Sequence, residues 1–359
     1  MKRWFKLLGV ELRKIHSRKT SYVLAIALIS IAILTVGVKH YVAEFIADQT
    51  AQYEETGDSF GITIDGMFNE PEITPSRLQS RHAELERRIE MGKMVPGYDE
   101  RSSGAQSMRN DLIVMEGYME RDAVPITQEN NLFRELSSNT PFNNLLIILT
   151  VVLALSIAGE YSSGTMKQMF IRPYTRAQIL TTKYVAAMIY GLALVILNYI
   201  VYFVAHGLVF GFQTDNNLLV IAVNGESVGM SAMLHSVLMH LFTWLSVAMI
   251  LGLVTLIAVL TRSQGATIGL TIALGVIAPA LMTALSGFIH WFSVLPFAFM
   301  DLRPTLTAGL NAFSMESSFI SSPTGLSYGL TSTTVWLGWL VYLLVFMTAA
   351  TLIFRKRDV

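Results

Sequence analysis

The residues best equipped to bind or grip something lie in one polar interruption, residues 158–184, AGEYSSGTMKQMFIRPYTRAQILTTKY. It carries one carboxylate, Glu160, and four cations, Lys167, Arg172, Arg176 and Lys183, between two strongly apolar runs. Read from composition alone, such a set is a loop held on one side of a membrane by its charge. The rest of the chain offers little catalytic chemistry. There is no cysteine, which removes thiolate nucleophiles, disulfides and Cys-based zinc sites. No phosphate loop of the form GxxxxGK followed by Ser or Thr occurs, and no HExxH helix. His235 and His240 stand five apart, off a common helical face, and read as interfacial or packed side chains more readily than as metal ligands.

The elements that must position this stretch are membrane helices. Of 359 residues 52% are hydrophobic and 14% charged, with a mean hydropathy of +0.49, whereas soluble domains run near a quarter charged. A formal net charge of zero lends no support to a nucleic-acid partner. Six stretches approach the roughly 20 apolar residues a helix needs to cross a bilayer: 20–39, 142–159, 184–206, 235–260, 266–289 and 333–354. Helices pair their own backbone groups in lipid, so an all-α bundle is expected and not a barrel. The first stretch reads as an uncleaved anchor, because no small-residue cleavage site follows it closely. Almost no ionisable residue falls inside the spans, His240 being the clear case. That disfavours an ion-driven carrier and leaves any energy source to a partner.

Lysine and arginine orient the spans. Residues 1–19, 160–183, the connection at Arg262 and the tail 355–359 hold fifteen basic and three acidic residues. The opposite loops hold eleven basic and twenty-three acidic. Both termini are therefore expected on the cytoplasmic side of a plasma membrane. Within 1–19, Trp4, Phe5, Leu8, Leu12 and Ile15 recur at helical spacing opposite Lys and Arg, which predicts an amphipathic helix lying at the membrane interface and held by anionic lipids. The outer segment 40–141 contains two helical patterns, 76–94 and 105–122, separated by Pro96 and Gly97, which predicts an outward helical hairpin. Leu78, Leu85 and Ile89 supply only a thin apolar stripe for it, so it must lean on something else. Two further outer segments, 207–234 and 290–332, complete the layout. Gly252, Gly265, Gly269 and Gly275 read as close-packing positions on the fourth and fifth spans.

Glu160, Tyr161, Gly164, Thr165, Lys167, Arg172, Pro173 and Arg176 together resemble the cytoplasmic segment after the second span in permeases of type-2 ABC transporters. That family shows a Glu-Tyr/Phe-x-x-Gly-Thr start, a basic residue two positions on, and an Arg-Pro-x-x-Arg turn into the third span. The basic helix before the first span, six spans and the Arg357–Asp358 ending are similar to permeases of the antibiotic-export and sodium-export type in Gram-positive bacteria. The outer hairpin, with ELERRIEMG before a proline, is similar in style.

The resemblance implies a non-catalytic membrane subunit that works with a second permease subunit, alike or different. Two copies of a separate cytoplasmic ATPase would bind ATP and magnesium, so the chain itself would hold no cofactor or metal. Residues 161–170 would act as the coupling helix docking on that ATPase, with Glu160 at the membrane boundary. The aromatic stretch 287–304 would dip back into the outer leaflet, with Pro296 supplying the break; by its residues alone it reads equally as an interfacial aromatic belt. The expected task is export of an amphipathic, peptide-like or lipid-linked compound. The alternative is a membrane sensor or assembly protein whose outer domain binds a ligand without transport.

Overall fold

Backbone polarity decides the architecture, since in lipid every N–H and C=O must find a partner inside its own segment. The computed structural model describes residues 2–56, 74–95, 103–125, 131–171, 173–214, 218–277, 294–308 and 330–356. Helices α1 (Lys2–Ser17), α2 (Lys19–Thr56), α3 (Pro75–Lys93), α4 (Ser103–Glu120) and α5 (Leu132–Ser138) lead into α6 (Phe142–Ser162). The one-turn α7 (Met166–Phe170) and long α8 (Arg176–Phe210) follow, then strands β1 (Leu218–Val223) and β2 (Glu226–Ser231). Helices α9 (Ala232–Thr261) and α10 (Gln264–Ile272), a π-helical turn (Ala273–Ile277), a 3-10 turn (Pro296–Phe299), α11 (Pro304–Thr307) and α12 (Ser332–Lys356) complete the described chain.

Five of these are long and apolar enough to cross a membrane: Lys19–Phe45 within α2, then α6, α8, α9 and α12. The protein is mostly helical and membrane-embedded. The expected stretch 266–289 begins as α10 and runs into the π-helical turn, and 278–289 lie outside the described residues. So do Pro96, Gly97, Arg172, Arg357 and Asp358.

Burial identifies the axis of the bundle. The apolar windows of α6 and α9 are 67% and 72% buried, against 22% for α2 and α12. The first pair is the core and the second pair shows its outer face to the surroundings. Lipid is as apolar as leucine, so close packing and internal hydrogen bonds must hold such helices together. Gly252 on α9 lets Leu343 of α12 come within 3.1 Å of where a Cβ would stand, and Gly275 does the same for Leu146 at 3.3 Å. Gly265 and Gly269 face open space. The polar tips of three aromatics in the bundle are spent on carbonyls of neighbouring helices. Trp244 Nε1 donates to Met188 O at 2.8 Å, Trp339 Nε1 to Leu245 O at 3.2 Å, and Tyr184 Oη to Ala248 O at 2.9 Å. Hydroxyls of Thr243, Ser246 and Thr255 return to the carbonyl four residues back, the usual way a helix interior absorbs them.

The segment 294–308 is packed into this core. Phe299, 7% exposed, fills the space beside Gly338 where any side chain would collide with its ring. Leu302 N donates to Ser246 Oγ at 2.8 Å, midway along α9.

Among the described residues the one departure from helix is the β1–β2 hairpin, in a region read as loop. Val223 pairs with Glu226 across Asn224 and Gly225, whose φ values of 52° and 89° make the mirror-image turn that tight hairpins favour. The hairpin supports α3 and α4. Leu78, Val114, Met115 and Tyr118 pack with Val220 and Ala222, and Val220 N donates to Tyr118 Oη at 3.1 Å. Arg121 Nη1 donates to Ser227 Oγ at 3.1 Å and Nη2 to Ser227 O at 3.1 Å. The thin stripe on 76–94 thus leans on strands that follow the third long helix.

Within this module Asp111 is pushed up to about 6, because burial outweighs the pull of the Arg81 guanidinium. A carboxyl whose folded value is raised favours folding while protonated, and that contribution is lost as pH rises from its ordinary 3.8 through about 6. The Asp111→Asn variant is expected to lack this loss. The difference in thermal midpoint, variant minus parent, should grow between pH 4 and 6.5; a constant difference refutes the assignment.

Candidate functional site

The polar stretch 158–184 folds into a corner whose parts are each fixed by local chemistry. Helix α6 runs through Glu160 and Tyr161 and stops at Ser163. Gly164 then adopts φ +71° and its N–H donates to Tyr161 O at 3.2 Å. A glycine in the left-handed region just past a helix end is the common way to terminate it. Helix α7 follows, burying Met166 and Met169 and leaving Gln168 on the outside. Pro173 then ends the helical path, and Thr175 caps α8: its Oγ1 accepts from Gln178 N at 3.2 Å while Gln178 Oε1 accepts from Thr175 N at 3.1 Å. Two residues before the proline, Ile171 is 86% exposed, a bare apolar side chain at the corner.

Four charged side chains anchor this corner to the bundle. Lys183 of α8, fully buried, places Nζ 2.9 Å from Glu11 Oε2 and 2.8 Å from Glu160 Oε2. Lys14 of α1 places Nζ 3.0 Å from Glu11 Oε1 and 2.9 Å from Glu160 Oε1. Each carboxylate bridges both ammoniums, so the ring is closed and neutral. Ser156 of α6 adds a contact to Lys183 at 3.4 Å. Burial alone would raise the Glu11 carboxyl, but the ammoniums of Lys183 and Lys14 outweigh it and hold the group below its ordinary value. Burial likewise works against the Lys14 cation, and the two carboxylates more than offset it, so its value is raised. The ring ties α1, the end of α6 and the start of α8 into one block.

The remaining motif residues are distributed around that block. Tyr161 lies under the Arg262 guanidinium, 5.1 Å from its ring centre, and edge-on to Phe354 at 6.2 Å. It thereby joins the α9–α10 turn to the last helix. Arg176 Nη1 donates to the carbonyls of Phe354 at 3.4 Å and Arg355 at 3.1 Å, meeting orphan acceptors at the end of α12. Thr165 Oγ1 and Ser163 Oγ are 2.9 Å apart. Lys167 lies in α7 and Arg172 lies outside the described residues.

On α1, Leu8 and Ile15 are buried in the main core and Trp4 and Leu12 are half-buried against it, while Phe5 is 62% exposed. Leu7 is also buried, with Met169 and Ile179. The apolar face of α1 is thus largely turned to protein. Beside the ring opens a cleft of about 560 Å³, lined by α1, the start of α2, the corner and α10.

The partners of Glu160 were not evident from the residue pattern. Glu11 stands out in hindsight as the one acid in a strongly basic segment, and Lys183 as the one cation on an otherwise apolar helical face.

A second charged layer lies at the other end of the bundle. Glu135 of α5, buried, pairs with Lys39 of α2 and accepts from Asn139 Nδ2 at 2.8 Å and Tyr202 Oη at 3.4 Å. At the start of α6, Arg303 forks onto Asp301, donates to Thr140 Oγ1 at 2.9 Å and stacks over the Phe142 ring. His235 is fixed between Ser137 Oγ and Leu306 O, each at 2.9 Å. His240 sits against Ser236 O and the Tyr199 ring. Both histidines are packing residues with defined partners, and among the described residues no group of three metal-ligating side chains is assembled.

Among curated proteins the chain is similar to the "Uncharacterized protein YhcI" of Bacillus subtilis (strain 168). The two are 25% identical over 287 residues, which cover 79% of this chain and 83% of that protein. A family model matches residues 104–359, from α4 through the corner to the C-terminal end. The chain belongs to that family, described as "Protein of unknown function (DUF2705)".

Proposed function

We propose that this chain is the permease subunit of a type-2 ABC transporter, exporting an amphipathic, peptide-like or lipid-linked compound. It would pair with a second permease subunit and be driven by two copies of a separate cytoplasmic ATPase. Six spans, cytoplasmic termini, an outward hairpin of α3 and α4, and residence in a bacterial plasma membrane belong to the same reading. So does a return of the aromatic stretch 287–304, of which 294–304 is described, into the outer leaflet.

The observation that carries it is the build of the 160–176 corner. A part that passes motion from a soluble motor to membrane helices must be short, stiff and tied to several spans at once. Here a glycine-stopped helix end, a one-turn helix and a capped restart are locked to α1, α6, α8, α9 and α12 through the ion ring, Tyr161 and Arg176. Exposed Ile171 and Gln168 are left free to meet a partner.

The test is to look for an ABC ATPase in the neighbouring reading frame and co-express it with this chain, followed by measurement of complex yield and ATP turnover. At Gly164 a Cβ would meet nothing within 4 Å, so Gly164→Val acts only through the backbone. Forcing a β-branched residue into the left-handed region costs about 1–2 kcal/mol and would tilt the α7 face. Gly164→Val and Ile171→Asp are each expected to cut recovered complex and ATP turnover about tenfold, a loss of roughly 1.4 kcal/mol in association. Complex and turnover unchanged in both variants would sink the proposal.

A further inference from the structure

The cleft beside the ion ring has a charge that no ion pair among the described residues balances. Its wall includes Lys14 and Glu160, which are both spent within the ring, and Arg18, which is not. Arg18 Nη1 is sealed from solvent and has no hydrogen-bond partner among the described residues. A guanidinium nitrogen withdrawn from water without an acceptor is costly. Around it the cleft presents further donors, the hydroxyls of Thr20 and Thr165 and the amides of Gln168 and Gln264. A net positive, donor-rich cleft of about 560 Å³ fits a compact anion with several acceptor oxygens, such as a phosphate diester.

The position of the cleft decides which phosphate. Arg18 joins α1 to α2, where the first membrane helix begins, and Thr20 is the first turn of that helix. Val23, Ile31 and Leu34 continue the Thr20 face of α2 and are 64%, 41% and 65% exposed. Leu155 and Val10 add apolar wall to the cleft itself. A headgroup bound at Arg18 would therefore have an unbroken apolar strip on which to lay an acyl chain. We propose that the cleft is a binding site for the phosphate of an anionic phospholipid, held by Arg18 with Thr20, Thr165 and Gln168, its chains running along α2. The proposal rests on the membrane placement of α2 and not on the ATPase reading.

Native mass spectrometry of the full chain, released from nanodiscs of mixed phosphatidylglycerol and phosphatidylcholine, tests it. One phosphatidylglycerol per chain should be retained in preference to phosphatidylcholine, and phosphatidylglycerol should raise the thermal midpoint. Inorganic phosphate and glycerol 3-phosphate at the same concentration should not. Arg18→Gln should weaken retention about tenfold, the scale of one lost charge-assisted contact. Arg13→Gln, which removes an exposed cation from the same helix, should leave it within about twofold. If Arg18→Gln folds poorly, Gln168→Glu sets a carboxylate at an exposed cleft position and should weaken retention by a similar factor. Equal effects from Arg13→Gln and Arg18→Gln overturn the site in favour of diffuse surface charge. An equal midpoint shift from inorganic phosphate alone overturns the lipid assignment.

Discussion

Lys183→Met is expected to be the most damaging single substitution in the molecule, lowering stability by about 3–5 kcal/mol, the usual consequence of removing one partner from a buried pair. The ammonium is fully buried and is shared by Glu11 and Glu160 at 2.9 and 2.8 Å. Methionine keeps the volume of the stem, so the loss reports charge and not a cavity. Without Lys183 the two carboxylates are left with Lys14 alone, whose side chain is 37% exposed. One buried negative charge is then uncompensated. Protonation relieves such a charge, so the deficit of the variant should shrink as pH falls. Neutralising a carboxylate as well, in Glu160→Gln/Lys183→Met, should recover at least half the loss. Thermal midpoints of the purified protein in one detergent, taken across pH, check all three statements. A single-variant loss under about 1 kcal/mol, or a double variant worse than the single, contradicts the closed ring.

How much of this was legible in the residues differs from element to element. The spans are read well because one physical requirement, a long run of apolar helix, fixes each locally. The ring is read poorly because its members are separated by up to 172 positions, and no local pattern says which carboxylate meets which ammonium. Lys183 illustrates the difficulty. Counted for topology it is one more cation in a basic loop, yet α8 begins seven residues earlier, at Arg176, and carries it into the bundle. The β1–β2 hairpin was missed for another reason. Asn224–Gly225 is the strongest short signal of a tight hairpin, but it stands in an apolar setting where membrane-helix reasoning dominates. On α1 the apolar face was legible and its destination was not. Periodicity shows that Leu8, Leu12 and Ile15 share a side, and it is equally satisfied by lipid or by protein.

The second large effect belongs to the opposite end of α8. From Lys183 to Tyr202 is nineteen residue steps of one helix, about 28 Å at 1.5 Å per residue. That is close to the roughly 30 Å hydrocarbon thickness of a bilayer. The ion ring and the Glu135 cluster therefore clamp the bundle at the two levels where charge can be kept near water. Glu135→Leu is expected to cost about 2–4 kcal/mol, because it strips the carboxylate from buried donors. Lys39, 40% exposed, can turn its ammonium to the interface and contributes little to that loss. The damage comes from the Asn139 amide at 2.8 Å and the Tyr202 hydroxyl, buried at 2% and bonded at 3.4 Å. Three variants separate these contributions. Glu135→Gln keeps an acceptor and should cost less than half as much as Glu135→Leu; Tyr202→Phe, which removes one long bond, should cost under about 1 kcal/mol. Two clusters this far apart share no partner, so Lys183→Met and Glu135→Leu should add to within about 0.5 kcal/mol in the double variant. A large coupling between them would mean that the ends of α8 do not act as separate clamps, and that a shift at the corner is felt directly at the far face.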